Sequence, residues 1–312
     1  MNQRRLFRLL WLSIAAAIAT ISLKTAAWAL TGSVGLLSDA AESVVNLVAA
    51  LFALAALHWA LKPADEEHAY GHAKAEYFSA GVEGALILVA AAAIAITAVD
   101  RLFHPQPIED VGIGLAVSVV ASLINLAAGF LLLRTGRAER SITLEADGKH
   151  LMTDVWTSVG VIIGVAAVAI TGFDRLDALV ALAVAANIVV AGSGLVRRSV
   201  GGLMDRGLGD SEQGQIDVVL SSFERDSGIH FHALRTRQAG SRAFISFHVL
   251  VPGDWSVQQG HDVAEEVEAA LRERLPYATV FTHLEPIEDP RSFADLALER
   301  ADVPEDGGKS SS

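Results

Sequence analysis

Six apolar runs fix most of what this chain can become. They cover roughly residues 6–30, 36–57, 78–99, 111–133, 142–171 and 176–196, each near the ~20 residues a helix needs to cross a bilayer. Hydrocarbon offers no water to backbone N–H and C=O groups, so spanning segments must satisfy them internally. The pattern predicts a membrane α-helical bundle of six transmembrane helices. Thr31-Gly32-Ser33 predicts a tight hairpin between the first two, His104-Pro105-Gln106-Pro107 a break between the third and fourth, and Thr171-Gly172 the fifth-to-sixth turn. The first run follows Arg4, Arg5 and Arg8 as a signal peptide would. It is long enough to span and lacks a persuasive cleavage site, so it reads as an uncleaved first helix.

Loop charges set the orientation. Arg4, Arg5, Arg8, Lys62, Lys74, Arg134, Arg137, Arg140, Arg197 and Arg198 fall on one side, and only Arg101 and Arg175 on the other. The positive-inside rule places both termini in the cytoplasm. The net charge of −12 comes largely from the C-terminal third, and no basic patch points to nucleic acid. With no cysteine, any metal site must be built from His, Asp, Glu, Asn and water.

After Gly201 the pattern changes. A helical stretch from Ser211, strands over 230–238 and 242–251 around Gly240-Ser241, an amphipathic helix over 255–275 and a strand over 278–286 give the order αββαβ, a small α+β sandwich with its helices on one sheet face. The expected domains are 1–207 in the membrane and 208–290 in the cytosol, with 291–312 a polar, disordered tail.

The fifth run is not purely apolar: Glu145, Asp147, Lys149, His150 and Asp154 lead into it. His150 and Asp154 are four apart, one turn above each other on one helix face. Ionisable side chains inside a bilayer are costly and face a polar pathway or a partner. Imidazole plus carboxylate at this spacing is half of a four-ligand divalent site. A frayed helix start, solvated at the membrane surface, explains an isolated pair equally well. The second run tips the balance, because Asp39, Glu42 and Asn46 repeat the spacing of Asp147, His150 and Asp154. Two such helices face to face would bring Glu42, Asn46, His150 and Asp154 to one intramembrane point. Glu83 and Asn125 are expected to line the polar interior or to bond across helices, and small residues in the third and sixth runs to permit close helix approach. Asp177 is an N-cap candidate for the sixth helix.

Two further clusters lie outside the spans. Asp65, His68 and His72 are three and four apart in the loop after the second run, either a solvated loop or a second metal position. The cytosolic stretch holds His230, His232, His248, His261, His283 and Glu285. His283 and Glu285, two apart on a strand, share a face, and neutral imidazole is a common zinc ligand.

These stretches together, GSVGLLSDAAESVVN, DEEHAYGHAKAE, DGKHLMTD, GLMDRGL and HALRTRQAG, resemble the cation diffusion facilitator family, and within it the bacterial zinc and ferrous-iron efflux branch, over about residues 10–288. The resemblance implies a homodimeric six-span antiporter in a prokaryotic plasma (inner) membrane. It would move a divalent metal outward, zinc first among zinc, iron, manganese, cobalt and cadmium, against protons, with a ferredoxin-like cytosolic metal-binding domain and no organic cofactor. Carried over by position, the transport site is Glu42, Asn46, His150 and Asp154, and the loop site is Asp65, His68 and His72. The cytosolic site draws on His232, His248, His261, His283 and Glu285, while Lys74 and Asp205 match an interhelical charge pair that holds the dimer near the membrane surface. The family usually has His or Asp, three residues, then Asp in the second span, where this chain has Glu42 and Asn46. One carboxylate fewer lowers raw affinity, so metal choice rests on ligand type and geometry. A His-rich loop between the fourth and fifth spans is replaced by RTGRAERS, as in prokaryotic members.

The rival from another class is a membrane-anchored metal sensor or scaffold without transport, which would need no ligands inside the spans. An enzyme is not expected, since no HExxH pair or evident nucleophile accompanies the spans.

Overall fold

Each apolar run becomes a helix, and five of the six helices outlast their runs. In the computed structural model, which describes residues 3–31, 34–104, 111–171 and 175–294, the first unit (Met1–Met204) contains α1 Gln3–Thr31, α2 Val34–Ala60, α3 Ala75–Phe103, α4 Val111–Glu139, α5 Ile142–Thr171 and α6 Arg175–Leu203. Hydropathy marks the hydrocarbon and not the last hydrogen bond, so α4 and α6 carry Arg134, Arg137, Arg197 and Arg198 on helical ends that emerge from it. Among the described residues, four helical stretches, in α1, α3, α4 and α6, are long and apolar enough to cross a membrane. The candidate intramembrane ligands sit on the other two, α2 and α5.

The most extensive helix contacts are α3 with α6 and α4 with α5, and small residues permit both. A Cβ on Gly84 would lie 2.8 Å from the Val196 side chain. One on Gly148 of α5 would lie 2.9 Å from the Leu133 backbone nitrogen and 3.1 Å from the Gly129 carbonyl oxygen of α4. Close approach of backbones is how membrane helices gain dispersion contacts where lipid removes the hydrophobic drive.

The start of α5 is tied down on two sides. Glu76, 1% exposed, accepts from the Ser141 hydroxyl at 2.5 Å and the Thr143 N–H at 3.3 Å, satisfying a first-turn amide that has no partner within its own helix. A carboxylate there also complements the helix dipole. One turn on, Glu145 pairs with Arg198 of α6. The helix bearing His150 and Asp154 is thus held by α3, α4 and α6.

The second unit (Asp205–Ser312) contains α7 Asp210–Ser227, β1 His230–Ala239, β2 Arg242–Val251, α8 Val257–Arg274 and β3 Ala278–Pro286, the expected αββαβ order. The sheet order is β1-β2-β3, with β1 and β2 antiparallel and β2 and β3 parallel. A capping box between Ser256 and Gln259 starts α8, the crossover that a parallel pair requires. Ala243, Ile245, Phe247, Val249 and Val251, alternate residues of β2, enter one apolar core with Ile216 and Leu220 of α7 and Val267 and Leu271 of α8. His248 alternates to the opposite face. Past β3 the chain makes a 3-10 turn, Pro290–Phe293, capped by Asp289. Ordered backbone therefore continues into the stretch read as tail, and residues from 295 onward lie outside those described.

Candidate functional site

Inside the helix bundle, Asn46 of α2 meets both expected ligands of α5. Its amide oxygen lies 2.6 Å from His150 Nε2, and its amide nitrogen donates to an Asp154 carboxylate oxygen. Asn46 and His150 are 7% and 6% exposed. The i, i+4 pair on α5 thus converges on the residue of α2 that the repeated spacing singled out. Asn125 of α4 donates to the same Asp154 oxygen at 3.2 Å, so it bonds across helices at the site itself. Glu42 belongs to α2, one turn before Asn46, but its side chain and those of Asp39 and Asp177 lie outside the described residues.

The arrangement has a definite chemical consequence. Asn46 Oδ1 can ligate a cation, whereas its N–H₂ can only donate. Both amide donors lie on one Asp154 oxygen, and a carboxylate has a second with which to meet a cation held by His150. Asn46 and Asn125 donate to the half-buried Asp154 carboxylate, so it is not left as a bare charge.

The loop site is built from turns. Asp65 Oδ1 accepts the His68 N–H at 2.7 Å and lies 3.1 Å from His68 Nδ1, and Asp65 Oδ2 lies 3.3 Å from His72 Nε2. The two rings are 4.3 Å apart between centroids. Gly71, at φ 81°, sends its N–H to the His68 carbonyl, a left-handed step that glycine takes without strain, and His72 then leads into α3. Desolvation pushes the Asp65 carboxyl up, but the His68 N–H, the His68 ring and nearby His72 outweigh it and hold the carboxyl below its usual value.

Strand register assembles the third cluster. His232 pairs with His248 across β1 and β2, and His248 with His283 across β2 and β3, placing three imidazoles in a row on one sheet face. Glu285, two residues after His283 and 8% exposed, reaches back between them. Its Oε2 is 2.9 Å from His232 Nε2 and 3.1 Å from His248 Nδ1. His283 stands at the rim, 67% exposed and 3.7 Å from Glu285 Oε1. His261 is exposed on α8 and is not among the residues that converge. His232 Nδ1 is buried without a hydrogen-bond partner, and the Phe293 ring packs edge-on against this imidazole at 5.6 Å. A bulge after His232, with Ala233 at φ 52°, re-aims β1 beside the cluster. Neither the bulge nor the Phe293 contact has a signature in the sequence.

Of the expected charge pair, Lys74 donates to the Leu203 carbonyl at 3.3 Å and Asp205 accepts from Arg237 at 3.1 Å. Among the described residues, two sets of ligand-type side chains have donor atoms all within 4.8 Å of one another: Asp65, His68 and His72, and His232, His248 and Glu285.

The cation efflux transmembrane domain matches residues 10–204, and the cytoplasmic domain of cation efflux proteins matches 208–287. An uncharacterized transporter of Synechocystis sp. is 51% identical over 282 residues, covering 90% of this chain and 91% of its own. The cation-efflux pump FieF of Serratia proteamaculans is 37% identical over 274 residues, covering 87% and 90%. Among solved structures, the metal-bound C-terminal domain of the CzcD transporter from Thermotoga maritima is 25% identical, covers 27% of this chain and 99% of its own, and has a TM-score of 0.24. The chain belongs to the bacterial cation diffusion facilitators: it is a membrane-embedded cation efflux transporter.

Proposed function

We propose that the transporter expels a divalent metal, zinc foremost, in exchange for protons by alternating access. The observation that carries this is the meeting of Asn46 with His150 and Asp154 in the interior of the helix bundle. An imidazole, a carboxylate and an amide oxygen suit zinc and the neighbouring first-row metals better than the hard, oxygen-only ions. Glu42 supplies the fourth ligand in this scheme. Ligands must shed protons to bind metal, so loading from the cytoplasm releases protons and reprotonation from the far side expels the metal. His150 is the ligand best suited to that exchange near neutral pH.

The loop cluster, on the side rich in Lys and Arg, captures metal before it enters. The cytosolic cluster binds metal and tightens a homodimer, and both termini are cytoplasmic. Membership of the efflux family argues against the sensor without transport.

The test is metal and proton flux in proteoliposomes with zinc, ferrous iron, manganese, cobalt and cadmium, wild type beside Asp154→Ala. Coupled flux with at least one metal, reduced to the protein-free level in the variant, is expected. Metal flux without proton movement would overturn antiport, and full flux in Asp154→Ala would remove this site from the pathway.

A further inference from the structure

Glu83 lies in the third turn of α3 with no exposed surface, and neither of its carboxyl oxygens makes a well-formed hydrogen bond. Ser79, one turn earlier on the same face, is equally buried, and its hydroxyl stands close to the Glu83 carboxyl without a well-formed hydrogen bond to it. Among the described residues, the charged group that faces Glu83 is another carboxyl, Asp147 of α5. Asp147 is 3% exposed with Oδ2 unpartnered, and it adjoins Ser13 of α1 and interacts with His150. On the α6 side, Val196 lies against Gly84 and Ser199 against Gly81, and the Ser199 hydroxyl is donated to the Tyr77 carbonyl.

An ionised carboxylate buried beside a single poorly placed hydroxyl is far costlier than a neutral carboxylic acid, and a second carboxyl facing it raises that cost. Some cation must sit there. Among the described residues, the ligand-type side chain beside Glu83 is Asp147, and two carboxyls fall short of the four ligands of a closed metal site. The cation that one carboxyl holds unaided is a proton.

We propose that Glu83 is a proton-binding site of the transporter, separate from the metal ligands, occupied in the metal-free protein and emptied when metal binds between α2 and α5. This rests on antiport as proposed above. On loading, the Glu83 O–H bond breaks, its electron pair stays on the carboxylate, and the proton leaves to water on the side from which the metal came. The dication near His150 offsets the new negative charge. After the metal departs, a proton from the opposite side re-forms the O–H bond.

The test uses the full-length protein with zinc alone as the probe. Calorimetric titration in two buffers of different ionisation enthalpy counts protons released on binding. Glu83→Gln is expected to release about one proton fewer per zinc bound in the membrane unit, and its flux in proteoliposomes to respond less steeply to a pH gradient. An unchanged proton count overturns the assignment of Glu83. Wild-type flux indifferent to the gradient overturns antiport, and the proton count still decides Glu83. Should Glu83→Gln fail to fold, infrared difference spectra serve: zinc must remove a protonated-carboxyl band from the wild type and a shifted one from Glu83→Asp. No band lost on zinc binding overturns the proposal.

Discussion

Gly148 is where a single methyl group tests how tightly the proposed transport site is held. In Gly148→Ala the new Cβ would meet the Leu133 backbone nitrogen and Cγ at 2.9 Å, where ordinary contact begins at 3.4 Å. A backbone atom cannot swing aside, so α4 and α5 must part by about 0.5 Å or distort, at about 1–3 kcal/mol for overpacking. Alanine recovers about 1 kcal/mol of helix propensity, which blurs the reading of this variant alone. Gly194→Ala on α6 is the control, because a Cβ there meets nothing within 4 Å. Both variants gain the same propensity, so the difference between them isolates the clash. The clash also reaches the site, since Asn125 of α4 donates to Asp154 of α5 at 3.2 Å. An opening of the same size stretches that bond to about 3.7 Å, past hydrogen-bond reach. In detergent, Gly148→Ala should melt below Gly194→Ala by the equivalent of about 1–3 kcal/mol, and in proteoliposomes it alone should lose metal flux. Equal melting and equal flux would refute the claim that α4–α5 contact positions Asp154.

Glu76→Ala removes the acceptor for Ser141 and Thr143 at the start of α5 and should destabilise the membrane unit by about 1–3 kcal/mol, while Glu76→Gln, which keeps an acceptor oxygen, should lose less; thermal unfolding of the two variants decides it. Glu285→Ala deletes the carboxylate shared by His232 and His248 and should weaken zinc binding to the cytosolic cluster by roughly 10–100-fold, whereas His261→Ala should change it little, as competition with a chromophoric chelator would show. The Arg291 hydrogen bond and charge hold the Asp289 carboxyl below its usual value. A depressed carboxylate contributes stability above its unfolded value that is lost as pH falls through the folded one, so the turn beside Phe293 should loosen only in acid; amide exchange at Ser292, whose N–H bonds to the Asp289 carbonyl at 3.0 Å, should then accelerate once the intrinsic pH dependence of exchange is removed.

What was legible in the sequence followed periodicity, and what was not followed register and tertiary reach. Six hydrophobic runs and the repeated spacing of Asp39, Glu42 and Asn46 with Asp147, His150 and Asp154 need only a helix of 3.6 residues per turn to become structure, and Asn46 does meet His150 and Asp154. The αββαβ order follows from alternation and turn residues in the same way. Pairing across strands is different, because nothing within β1 says that His232 stands opposite His248, or within β3 that Glu285 turns back toward both. A histidine inventory therefore could not separate those two from exposed His261. Polar residues inside the spans were harder still. Asn125 and Glu83 look alike in sequence, each a lone polar residue in an apolar run. Their meaning differs because Asn125 finds the Asp154 carboxylate while Glu83 faces another acid. In a bilayer, the partner and not the residue decides whether a buried polar group joins helices or carries charge.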